Sequence, residues 1–228
     1  MITFCHAAKG GSGTTFVACT MAIHTAGPTL LVDFDDDVPS ALGSAEPDRP
    51  GVSDWLASRA PNSHLDDLLV ELAPETWLLA TRGPRDDARC ERDRPIDELD
   101  AAEERWDELF DWLADWCDNT GGSVVVDAGT RIVPRSFVEQ CPQRWLVTRS
   151  CYLGLRRAAR RGLRPTGVVL IEEVGRALGR RDVEASIGAP VVATIAWDAR
   201  VATALDCGLL LARPLPRRTR HQLTRTAA

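Results

Sequence analysis

Residues 9–15 read Lys-Gly-Gly-Ser-Gly-Thr-Thr, and carboxylates recur downstream: Asp33 and Asp35 in LLVDFDDD, and Asp127 in SVVVDAGT. These residue types suit phosphate chemistry. Gly10, Gly11 and Gly13, with Ser12 between them, let the backbone bend and approach an anion closely. The amides that open a following helix then point at the anion, with the helix dipole behind them. The hydroxyl of Thr14 or Thr15 can reach a magnesium ion, which prefers oxygen ligands. Asp33 and Asp127 can hold that ion directly or through water, and Asp35 can orient an attacking water. A glycine turn with no ligand would also account for GGSG taken alone. Acids closing two strands at the edge where the loop lies argue for a site.

Lys9 is the only lysine among 27 lysine and arginine side chains. A codon bias toward arginine explains the other cations but not the place of this one. A compact ammonium on a flexible stem reaches phosphate as a point charge, a role arginine fills poorly in a tight loop.

The elements that must position these groups are legible as apolar runs. Residues 2–6, 29–33, 76–80, 123–127, 144–148, 167–171 and 191–195 read as buried parallel strands. Helices are expected over 14–25, 52–58, 65–72, 100–117, 134–140, 153–162, 182–187 and 200–207. In the clearest of them, Trp106, Leu109, Phe110, Leu113, Trp116 and Cys117 share one face, so its tryptophans read as core rather than a stacking platform. The alternation predicts an α/β fold, a single three-layer α/β/α domain over residues 1–212. Its mostly parallel, twisted sheet should hold about seven strands. Ligands bind such sheets at the carboxyl ends of the strands, where the glycine loop and the acids fall. Residues 82–94 read as a polar loop and 213–228 as a basic, disordered tail.

Composition narrows the class. Hydrophobic residues make up 44% and charged residues 26%, as in soluble globular proteins. No apolar run approaches the ~18 residues of a spanning helix, and the start lacks a secretory pattern, so a cytoplasmic protein is expected. Seven scattered cysteines without a C-x-x-C pair read as free thiols, not as a disulfide framework or zinc site. The net charge of −6 argues against a general affinity for nucleic acid. Arginines nonetheless crowd 156–164 and 213–225. Solvated surface is the preferred reading of both clusters. A docking surface for DNA, a membrane or an acidic partner is the alternative.

KGGSGTT followed by LLVDFDDDVPSALG resembles the ParA/MinD family of deviant P-loop ATPases, whose loop reads K-G-G-x-G-K-[ST]. SVVVDAGT, RWLVTRSCYLGLRRAARR and DVEASIGAPVVATIAWDARVATALDCG are similar to later family segments. The likeness is closest to the CpaE/TadZ branch, which helps place pilus and secretion machinery and includes members with degenerate loops. It implies an ATP and magnesium site built from Lys9, Gly10, Gly11, Ser12, Gly13, Thr14 and Thr15. By the same resemblance Lys9 is the signature lysine, reaching phosphates across a sandwich homodimer. Thr15 is the magnesium ligand, Asp35 orients water, and Asp127 holds the metal through water.

The sequence departs from that pattern at three places. Thr14 replaces the loop lysine, Ala196 the proline before the adenine loop, and VVLIEEVG lacks a base-reading asparagine. A charged hydrogen bond to phosphate contributes roughly 1.5–3 kcal/mol. Its loss weakens binding about 10- to 100-fold, and catalysis suffers more, because the missing cation would neutralise developing charge. The expectation is a nucleotide-binding positioning protein with weakened or lost ATPase activity, which helps localise or assemble a pilus or secretion machine. A partner from such a system, or from partition or division, would recruit it to a cell pole or the inner membrane face. An active ATPase of DNA partition or septum placement is one alternative, and a scaffold without nucleotide is another.

Overall fold

The computed structural model describes residues 1–45, 47–82, 96, 101–212 and 223. The chain opens with β1 (Ile2–His6), α1 (Thr14–His24), β2 (Thr29–Asp33), α2 (Val38–Leu42), α3 (Val52–Leu56) and α4 (His64–Asp67). An antiparallel pair follows, β3 (Val70–Ala73) and β4 (Thr76–Leu79). The second half holds α5 (Glu103–Thr120), β5 (Ser123–Asp127), α6 (Arg135–Gln140), β6 (Gln143–Arg149) and α7 (Tyr152–Arg160). β7 (Gly167–Glu172), α8 (Arg180–Ile187), β8 (Val191–Ala196) and α9 (Ala199–Asp206) complete the order.

The eight strands form one sheet, ordered β3-β4-β2-β5-β1-β6-β7-β8, in which every neighbouring pair except β3–β4 is parallel. β1 lies between β5 and β6, so all five of its residues are buried. Side chains alternate across it. Ile2 and Phe4 join the cluster beneath α5 and α6, while Cys5 joins the one beneath α1. Leu146, Val168 and Leu170 meet α7 and α8 in a third cluster. The helices therefore cover both faces of the sheet, the three-layer arrangement expected.

α1 buries most of its circumference, from Phe16 to Ala22, because Ala18, Cys19 and Ala22 leave room for close approach to the strands. It ends where Thr25 turns extended and Gly27 adopts φ 81°. α5 carries Glu103 and Glu104 in its first turn, where acids complement the helix dipole, and stops at Gly121 with φ 64°. Trp106 and Trp112 are buried, and Trp116 packs partly buried against the core, so the tryptophans are core residues as expected. Trp112 lies off the predicted apolar face and is buried all the same.

The structure corrects the sequence reading at the β3 edge. The described residues hold eight strands, close to the seven or so expected, the added one being β3, and the helix expected over 65–72 stops at Asp67. Leu65 and Leu68 enter the core, but from Val70 the chain pairs with β4, whose outer backbone groups need partners. α2 was not expected. It has Pro39 in its first turn and ends at Gly43, φ 67°. A Cβ on Gly43 would overlap the Gly208 carbonyl just beyond α9. Leu223 is buried in the cluster under α1. The rest of the tail expected over 213–228 and the polar loop beyond Arg82 lie outside the described residues.

Candidate functional site

The glycine loop leaves β1 at the carboxyl edge of the sheet. Ala7 N–H donates to the Gly129 carbonyl at 2.6 Å, tying the loop to the end of β5. Gly11 and Gly13 take φ of 71° and 92°, left-handed values that favour glycine. The Ser12 hydroxyl donates to the Lys9 carbonyl at 2.7 Å, and Val17 N–H to the Gly13 carbonyl at 3.0 Å, closing the first turn of α1. Lys9, Gly10 and Gly11 are exposed, Thr15 is half-buried and Thr14 is buried. Among the described residues, no atom beyond the adjoining residues lies within 4 Å of where a Cβ on Gly10 or Gly11 would stand, so the rim of the loop is open there.

The loop bounds a cavity of about 320 Å³. Residues 9–16 form one wall, and Asp35, Asp37, Ser40, Ala41, Gly129, Thr130, Leu205 and Asp206 complete it. A narrower pocket of about 80 Å³ shares Ser12, Gly13, Phe16 and Leu205 with it. Ile171, Ile195, Val201 and Trp197 give that pocket apolar sides, and Arg149 and Asp198 add charge. Ala196, where the family's proline was expected, lies on its wall.

The three expected acids behave differently. Phe34 is buried against Trp106 (ring centroids 5.7 Å apart) and Phe137 (5.9 Å), which anchors the β2 end from the opposite face. Asp33 is buried, and its carboxylate accepts N–H groups from Asp35 (3.0 Å), Asp36 (2.9 Å) and Val38 (3.1 Å). Burial and the nearby Asp127 push its carboxyl well above the usual range, against those hydrogen bonds. Asp35 reaches the cavity and pairs with Arg131 Nε at 2.8 Å. It packs on Gly129, φ 48°, where any Cβ would overlap its carboxylate.

Asp127 is also buried. Its Oδ1 accepts Gly129 N–H at 3.1 Å, while Oδ2 has no hydrogen-bond partner of good geometry. Burial pushes its carboxyl up to about 7, offset in part by the neighbouring Thr15 hydroxyl.

The chain thus brings together the loop, Thr15, Asp35 and Asp127, while Asp33 is engaged by the turn that follows it. Sequence reasoning missed Arg131, Asp37, and Leu205 with Asp206 from α9. It also missed the Arg149–Glu173 ion pair at 2.7 Å beside the narrow pocket. The described thiols are all free, as expected, with Cys5 and Cys19 pushed up by burial; Cys90 lies outside the described residues. Among the described residues no group of three His, Cys, Asp or Glu could hold a metal ion alone. None of their helices is long and apolar enough to cross a membrane.

A magnesium nucleotide fits these groups. Magnesium keeps waters and shares phosphate oxygens, so it needs only one or two protein ligands rather than a cage. Thr15 lines the cavity beside the glycines, and its hydroxyl neighbours the buried Asp127 carboxylate, whose Oδ2 has no hydrogen bond of good geometry among the described residues.

The architecture is the P-loop NTPase fold of the MinD and ParA ATPases. The chain is similar to the septum site-determining protein MinD of Pyrococcus horikoshii, solved with Mg-ADP, at 16% identity and TM-score 0.72, over 100% of this chain and 96% of that one. It is similar to the cell division ATPase MinD of Pyrococcus furiosus at 18% identity and TM-score 0.72, over 100% and 98% of the two chains. A ParA family ATPase from Chlorobium tepidum matches at 18% identity and TM-score 0.65, over 98% and 96%. No protein-family model and no curated protein matches the sequence.

Proposed function

We infer that this chain is a ParA/MinD-like positioning protein that binds Mg-ATP weakly through its glycine loop and hydrolyses it slowly or not at all. The observation that carries this reading is one cavity lined by the glycine loop and Thr15, with the buried Asp127 carboxylate beside the Thr15 hydroxyl just behind. In it Lys9 and the rest of residues 9–15 hold phosphate, Thr15 binds magnesium, and Asp127 holds the metal through water. Asp33 shapes the turn that carries Asp35 rather than coordinating the ion directly, in line with its three backbone hydrogen bonds.

Two features favour a weakened enzyme. Thr14 brings no cation to the phosphates. Asp35, the water-orienting acid, is partly neutralised by Arg131. Dimerisation across the loop is favoured by exposed apolar side chains on the same edge of the sheet: Ile132, Tyr152, Leu153 and Val174. The chain would act in the cytoplasm as a nucleotide-dependent dimer, recruited to a cell pole or inner membrane face by a partner from a pilus or secretion machine.

Calorimetry with Mg-ATP tests the core of this reading. A dissociation constant in the range of tens of micromolar or weaker is expected from the missing charged contact, about 10- to 100-fold above that of an intact loop. Nanomolar affinity would show that Thr14 does not weaken the site. No binding at millimolar nucleotide would leave a scaffold on an NTPase fold.

A further inference from the structure

α5, α6 and α7 lie on one face of the sheet. Phe4 and His6 of β1 point to the side covered by α5 and α6, and Leu146, which faces His6 in register on β6, packs under α7. The outer surfaces of these three helices carry opposite charge in order. On α5, Glu104, Asp107, Asp111, Asp115 and Asp118 are exposed at spacings of three and four, one continuous acidic ridge. On α7 and the turn after it, Arg156, Arg157, Arg160, Arg161 and Arg164 are exposed as a basic ridge. Between them, Arg135 and Glu139 of α6 neutralise each other at 2.8 Å. Across α5, α6 and α7 this part of the face therefore reads acidic, neutral, basic, with α8 beyond α7 on the same side.

The ridges are not consumed within the chain. Among the described residues Asp111, Asp115 and Asp118 form no ion pair, and Arg156, Arg157, Arg160 and Arg164 form none; Arg161 donates to the Thr130 carbonyl at 3.3 Å, and Asp107 accepts from Gln140 Nε2 at 2.9 Å. Aligned like charges along a helix repel one another, so each ridge gains from an opposite surface.

The geometry points to a second copy of this chain as the occupant of this face, docked about a two-fold axis that runs along α6. Such an axis sets the acidic ridge of one copy on the basic ridge of the other, twice over, as an isologous contact requires. An axis perpendicular to the helices would set like on like. The contact is polar throughout, so it is weak and governed by ionic strength. It lies on a helical face, away from the glycine loop, so it needs no nucleotide and is independent of the function proposed above.

The test is sedimentation equilibrium of the full chain without nucleotide. Wild type should dimerise at about 0.1 M salt and dissociate at about 1 M, where the screening length falls from ~10 Å to ~3 Å. Reversing the basic ridge (Arg156→Glu, Arg157→Glu, Arg160→Glu) or the acidic ridge (Asp111→Arg, Asp115→Arg, Asp118→Arg) should give monomers with unchanged circular dichroism. An equal mixture of the two variants should dimerise, because each then offers one sign on both ridges. A monomeric wild type at low salt, association that neither salt nor reversal alters, or a mixture that stays monomeric overturns the proposal. So does a monomeric wild type whose basic ridge binds duplex DNA or anionic vesicles, which makes a polyanion the occupant.

Discussion

Asp33 and Asp127 stand opposite one another in register on β2 and β5, both fully buried, yet three backbone N–H groups satisfy the first while one oxygen of the second has no partner. Burial raises the proton affinity of both; the Asp127 charge raises that of Asp33 further, and Asp35 and Asp37 raise that of Asp127. The first closes a turn, and the second keeps one carboxylate oxygen without a hydrogen bond of good geometry among the described residues.

Asp127→Asn should separate stability from metal binding. The folded carboxyl sits at about 7 against an ordinary 3.8, so the folded state keeps a proton that the unfolded chain has lost. Wild type is expected to lose stability as pH rises from 4 through 7, and above that it holds a buried charge. The amide carries none. In magnesium-free urea unfolding, the variant's advantage should grow across that window to at most about 4 kcal/mol. Magnesium with ATP should stabilise wild type and leave the variant unmoved. A variant less stable than wild type at pH 8 would show that the carboxylate is not strained there.

Thr14→Lys should tighten Mg-ATP binding by about 10- to 100-fold, since it restores a charged contact to phosphate. Its turnover should rise above that of the parent. If calorimetry gives equal affinities, or the parent already turns over as fast as the variant, Thr14 is not what weakens the site.

Lys9→Ala should be silent in the isolated fold. The side chain is exposed, so thermal unfolding without ligand should stay within about 0.5 kcal/mol of wild type. Mg-ATP should no longer induce the loop-face dimer, read by light scattering at high salt. Lys9→Arg should restore it only in part. Equal nucleotide-induced dimerisation by Lys9→Ala would remove Lys9 from the interface.

Gly129→Ala tests the packing of Asp35. The new methyl would overlap the Asp35 carboxylate and force alanine to φ 48°. A loss of roughly 1–3 kcal/mol is expected in urea unfolding. Adding Asp35→Ala removes the carboxylate but leaves the Asp35 Cβ 2.7 Å from the new methyl, so it should restore only part of the loss. Additive losses in the double variant would mean that the two residues do not touch.

The parallel strands and the glycine loop were legible because each is a local pattern. β1, β2 and β5 begin and end where their apolar runs do. β3 was not, because its pairing answers the open edge of β4 rather than its own sequence, and the leucines before it also fit a helix. Among the acids, residue type revealed candidates but not their loads. Nothing local to Asp33 distinguishes it from Asp127, apart from the DFDDDV run after it that supplies the N–H groups. Leu205 and Asp206 reach the site from a distant part of the chain, and Arg131, though it directly follows SVVVDAGT, reaches Asp35 through a contact no spacing encodes.

Gly43 and Gly208 meet backbone to backbone, with no side chain between them to absorb a shift. Nearby, Leu210 N–H reaches the Ala41 carbonyl at 3.4 Å. Ser40 and Ala41 of α2 line one side of the cavity, and Leu205 and Asp206 of α9 another. The two helices are thus geared without backlash. A ligand that displaces the β2–α2 turn carries α9 with it, and with α9 the Val201 and Leu205 wall of the narrow pocket. A shift at the loop end of the cavity is thereby expected to be felt at the narrow pocket.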